Sequence, residues 1–142
     1  MGRIVVGIDS SADSARALRW ALEEAVLRDA ELDLVHAYPT PEIVALPAMV
    51  TLPTDDELRA GAQEIVDRAL ADVGGPGDVP VTTTLRAGGS ARVLCEVAEG
   101  AELLVVGARG LGGFRGLLLG SVSQQVVAHA PCPVVITVRE KA

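Results

Sequence analysis

Gly107-Ala-Arg-Gly110, nine residues, then Gly120-Ser121 form a spaced pattern, G-x2-G-x9-G-[ST], whose residue types suit the holding of an anion. Glycines at 107 and 110 let the backbone turn sharply and approach a ligand with no Cβ in the way. Gly120 and Ser121 stand where a helix would open. Free N–H groups, the helix dipole and a hydroxyl favour phosphate there. Arg109, inside the pattern, and Ser121 are assigned to phosphate, Ser123 serves either as a further contact or as a cap, and Arg115 reads better as a solvated loop charge. The surrounding stretch, Leu103 to Val138, contains no Asp or Glu although the chain has 19 acidic residues against 12 basic ones. Asp9 closes the first apolar run and is read both as a helix cap and as a ligand contact.

Other phosphate motifs fail on their residues. A P-loop requires G-x-x-x-x-G-K-[ST], and the only lysine is Lys141 at the tail. The dinucleotide fingerprint G-x-G-x-x-G nearly appears at Gly110, but Arg115 occupies the third glycine position and the segment lies mid-chain. His36, mid-strand, reads as a satisfied core histidine, and His129 as a cation near a helix C-terminus. Two histidines and two cysteines far apart do not make a zinc signature. Cys132 reads as packing.

The elements that must position these residues follow from periodicity. Arg3 to Ile8 and Leu103 to Gly107 are short continuous apolar runs, the pattern of strands buried on both faces of a parallel sheet. Ser10, Ser11 and Asp13 offer N-caps to a helix over Ser14 to Arg28, whose apolar stripe is Leu18, Ala21, Leu22, Ala25 and Val26. Leu32 to Tyr38 is the second strand. Residues 39 to 53 carry four prolines among apolar residues and read as a long loop, a lid or a mobile segment. Thr54 to Glu57 is a capping box for a helix that stops at Gly74-Gly75. Val79 to Ala87 suits a strand nearer the edge, and Ser90 caps a short helix through Glu99 with Gly100 beyond it. A helix from Gly120-Ser121 and a strand over Val134 to Val138 complete the chain. Strands and helices alternate, so the fold class is α/β, a mostly parallel sheet covered on both faces. Ligands of such sheets bind beyond the carboxyl ends of the strands, which puts Asp9, the end of the second strand and Gly107 on one rim.

The 142 residues suit one domain with a core that needs no disulfide or metal. A net charge of −7 disfavours nucleic acid, since neutralising phosphates takes clustered Lys and Arg. Cys95 and Cys132 are isolated thiols, in keeping with a reducing compartment. No leader pattern and no membrane span is expected, which implies a cytoplasmic protein.

Beyond the glycine pattern, IVVGIDSS, LDLVHAY, LLVVGARG and LLLGSVSQQVVAHAPCPVVIT resemble the universal stress protein family in its ATP-binding branch, over nearly the whole length. The resemblance implies one domain over residues 1–142, an adenine nucleotide alpha hydrolase-like fold, and an open five-stranded parallel sheet of order 3-2-1-4-5. It places adenosine against Asp9 and the backbone of Ala37, over Gly7. Ribose and phosphates fall on Val106, Gly107, Gly110, Gly120, Ser121 and Val122. It further implies a homodimer through Val134 to Val138, which would otherwise be an exposed apolar edge. The function expected is a nucleotide-responsive stress-signalling module with an unidentified protein partner. ATP is its cofactor, with Mg²⁺ held by phosphate oxygens and water, and hydrolysis is slow at most. The alternatives are a nucleotide-dependent transferase or hydrolase on a similar sheet, or an interaction domain without nucleotide.

Overall fold

The computed structural model describes residues 1–40, 52–109 and 119–139. In chain order the elements are β1 (Arg3–Gly7), α1 (Ala12–Arg28), β2 (Glu31–Tyr38), α2 (Asp55–Asp72), β3 (Val81–Ala87), α3 (Ser90–Val97), β4 (Leu103–Gly107), α4 (Ser121–His129) and β5 (Val134–Thr137). The strands form one all-parallel sheet of order β3-β2-β1-β4-β5. β3 is an edge strand, as its polar alternation implies.

Strand order sorts the helices. The chain steps from β1 to β2 to β3 in one direction, then returns past β1 to β4 and β5. With right-handed crossovers, a reversal of direction sends the later helices to the opposite face. Accordingly, Ile4, Val6, Leu32 and Leu34 pack under α1 and α2 with Leu18, Ala21 and Val66. On the other face Val5, Val35, Leu104 and Val106 pack under α3 and α4 with Leu94, Val97 and Val126. β1 from Ile4 to Gly7 and β4 from Leu103 to Gly107 carry no polar side chain because both of their faces are covered. The reversal leaves β1 beside β4, Ile4 opposite Leu103, and opens a crevice above their carboxyl ends.

Several boundaries differ from the sequence expectation, each for a local reason. α1 begins at Ala12, capped by the Ser11 hydroxyl, which accepts from the Ser14 N–H at 3.1 Å. Ser90 is the first helical residue and not the cap of α3; Gly89 stands at the cap position without a side-chain bond. α3 ends at Val97, and the Glu99 N–H closes a tighter turn onto the Glu96 carbonyl before Gly100 turns the chain at φ 78°. β3 begins at Val81 because Val79 closes a turn onto Pro76 and Pro80 has no N–H to donate. Thr54 and Glu57 do form the capping box of α2. Most of the proline-rich loop, together with Gly110 and Arg115, lies outside the described residues.

Candidate functional site at the β1–β4 crevice

β1 delivers Gly7 and, just past its end, Asp9. A Cβ at Gly7 would stand 3.1 and 3.2 Å from the two δ-carbons of Leu94, so glycine here lets α3 close onto the strand end. Asp9 is half-buried, and its Oδ1 accepts the Ser11 N–H at 2.8 Å. Its own N–H donates to the Ser14 hydroxyl at 2.9 Å. The helix cap is therefore Ser11, while Asp9 shapes the turn before it and lines the crevice.

β2 reaches further along than β1. The Ile8 N–H donates to the Val35 carbonyl, so the polar groups of Val35 point toward β1. By alternation those of Ala37 point the same way. β1 has ended by then, and the Ala37 N–H and carbonyl face open crevice, where a planar heterocycle could take both. His36 is satisfied, as its position implies: Nδ1 lies 2.6 Å from the Ile8 carbonyl and must donate to it. It nevertheless lines the crevice.

β4 and α4 supply the rest. Gly107 is required by packing as well as by any ligand, because a Cβ there would come within 2.8 Å of the Asp13 backbone on α1. The Ala108 N–H continues the ladder to the Thr137 carbonyl. The Ala108 carbonyl then accepts from the Gly120 N–H at 2.7 Å and from the Ser123 hydroxyl at 2.8 Å. The two glycine elements, separate in sequence, are thus joined at one oxygen. Gly120 caps α4 without a side chain, leaving the first-turn N–H groups of Ser121, Val122 and Ser123 outside the helix ladder. Val122 and Ser123 line the crevice and the exposed Ser121 opens the helix beside it. The Ser123 hydroxyl is committed to carbonyl oxygens, so its contribution to an anion is its backbone N–H.

Arg109 also lines the crevice, and its backbone N–H donates to Asp13 Oδ2 at 3.0 Å. Asp9, Gly7, Ala37, Val106, Gly107, Arg109, Val122 and Ser123 are brought to one place, with Gly120 bonded to the Ala108 carbonyl next to Gly107 and Arg109. Sequence reasoning missed the buried Ser14, which joins the ends of β1 and α1, and the tie from Asp13 to Arg109. Ser14 carried a signal, a small polar residue one turn into a capped helix. The Asp13 contact spans 96 positions and carried none.

The crevice offers backbone donors, a helix N-terminus and hydroxyls, with Arg109 in its lining and Asp9 as the carboxylate among the described residues that line it. Among the described residues no three His, Cys, Asp or Glu side chains are grouped so as to hold a metal ion. None of the described helices is long and apolar enough to cross a membrane.

Residues 1–139 match the Universal stress protein family. The chain is 39% identical over 138 residues to a universal stress protein of Mycolicibacterium smegmatis, covering 94% of this chain and 47% of that one. It is 36% identical over 139 residues to a universal stress protein of Thermus aquaticus, covering 94% of this chain and 96% of that one. The chain spans about half the length of the mycobacterial relatives it matches. A solved universal stress protein in complex with cAMP superposes with a TM-score of 0.68 at 27% identity, over 96% of each chain.

Proposed function

Since the chain belongs to the universal stress protein family, we propose that it is an ATP-binding, nucleotide-responsive signalling module that hydrolyses ATP slowly at most. The observation that carries this reading is the junction at the Ala108 carbonyl, which holds the Gly107 turn and the uncapped start of α4 against one another. The complex of the similar protein with cAMP supports an adenine nucleotide on this fold.

In this reading the adenine meets the backbone groups of Ala37, the ribose end meets Asp9, and Gly7 lies beneath. The phosphates run along Val106, Gly107, Arg109 and Gly110 to the first-turn N–H groups of α4 at Ser121, Val122 and Ser123. Mg²⁺ would be held by phosphate oxygens and water, because the described residues that line the crevice carry a single carboxylate. Slow hydrolysis follows from the same scarcity. Asp9 already accepts a backbone N–H, and His36 donates its Nδ1 proton to a carbonyl, which leaves no side chain among the described residues of the crevice poised to activate water. We further place the protein in the cytoplasm as one domain and as a homodimer through β5, signalling to an unidentified protein partner.

The test is thermal unfolding of nucleotide-free protein with ATP, AMP and cyclic AMP. A ligand at 100 times its Kd adds about 2.7 kcal/mol, a shift of several degrees for a chain of this size. No shift with any of the three at millimolar concentration overturns the reading. Mass spectrometry of whatever co-purifies then names the cellular nucleotide.

A further inference from the structure

We propose that Asp13, on the first turn of α1, is a positioning residue for the phosphate end of the crevice, and that it governs affinity for the phosphate chain without governing affinity for adenosine. The inference rests on the nucleotide reading above. The Ala108 carbonyl and the Arg109 N–H belong to one peptide unit, which is planar and trans. On one side its carbonyl takes the Gly120 N–H and the Ser123 hydroxyl. On the other its N–H donates to Asp13 Oδ2 at 3.0 Å. A single rigid plane therefore spans from the start of α1 to the start of α4.

Two further contacts hold Asp13 in place. Its Oδ1 pairs with Arg16 one turn on at 2.8 Å, fixing the carboxylate's rotation. Its backbone lies against Gly107 so closely that any side chain at 107 would collide with it. An ordinary acidic residue in a first helical turn would interact with the helix dipole alone and would not touch a loop 96 positions away. Without the carboxylate, the 108–109 peptide can rotate about its flanking bonds, and rotation carries away the oxygen that seats Gly120. The start of α4 is then no longer held where the phosphates need it. The Ala37 backbone, on the far side of β1, is left as it was.

The test measures binding of adenosine, AMP and ATP to the whole nucleotide-free chain for wild type, Asp13→Ala and Asp13→Asn. Amide hydrogen exchange at Arg109 is followed in parallel. Asn keeps an acceptor oxygen for the Arg109 N–H and gives up only the ion pair with Arg16. Asp13→Ala is expected to weaken ATP about tenfold, the value of one charge-assisted hydrogen bond, with adenosine within about twofold of wild type. Asp13→Asn is expected to stay within about threefold of wild type for ATP. The Arg109 amide should exchange about tenfold faster in Asp13→Ala and near the wild-type rate in Asp13→Asn. Equal weakening of adenosine and ATP, or ATP binding unchanged or tighter in Asp13→Ala, overturns the proposal. If wild type binds no adenine nucleotide the functional reading falls instead. The exchange result then judges the positioning by itself: unchanged protection at Arg109 in Asp13→Ala overturns it, and lost protection upholds the clamp.

Discussion

A glycine can be retained for what would strike its side chain, and Gly107 illustrates how that differs from freedom of the backbone. A Cβ there meets backbone atoms of Asp13, which cannot swing aside as a side-chain tip can. Gly107→Ala should therefore cost about 1–3 kcal/mol, seen as a lower denaturant midpoint at unchanged slope. The two cysteines lie at the other extreme of chemical consequence. Burial pushes both thiols above their ordinary value, and for Cys132 proximity to Cys95 adds to it. Alkylation of the folded protein near pH 8 should run several-fold slower than that of a free cysteine and recover on unfolding. Because the folded-state values are raised, the stability held by the neutral thiols is present below the ordinary thiol value and declines as the pH climbs past it. At this scale the sequence was informative where chemistry is local. The glycine spacing and Asp9 were visible because residue type and position alone define them. The Asp13–Arg109 bond was hidden because it depends on how α1 and β4 come together.

Helices and strands here obey their local rules with one exception. Gly61 sits in the middle of α2, and a Cβ built there meets nothing within 4 Å. The described residues give no packing reason for it, so Gly61→Ala should stabilise the fold by about 0.5–1 kcal/mol through helix propensity, read as a raised Tm. Thr54→Ala should act oppositely by about 1 kcal/mol, since both halves of the capping box are formed. All nine described elements were legible from periodicity and punctuation. Their ends were less so. Ser90 looked like a cap because serine usually is one, but the turn at Gly88, with φ 132°, places the helix start one residue earlier. Val79 and Pro80 looked like strand until the Pro76 turn claimed the first of them.

At the scale of the whole molecule, the β5 edge is the surface with most at stake. β5 pairs with β4 on one side only, and Val138 just beyond it is 61% exposed. If β5 joins two copies, Val138→Asp should shift sedimentation from dimer toward monomer while leaving far-ultraviolet dichroism intact; a wild-type chain that sediments as a monomer at tens of micromolar would overturn the dimer. The strand order itself was not readable from periodicity, which says that strands alternate with helices and not which strand neighbours which; resemblance supplied it. That order has a consequence in time. Ile4 pairs with Leu103, so the two walls of the crevice lie far apart in sequence and can meet only after β4 has been made. Contacts of such long range form late and slowly. A nascent chain lacking α4 would present β1 and β2 without the oxygen-to-nitrogen latch at Ala108, and would have no assembled place for phosphate. Nucleotide captured by a newly made chain would then be a signal that β4 and α4 have both arrived and docked.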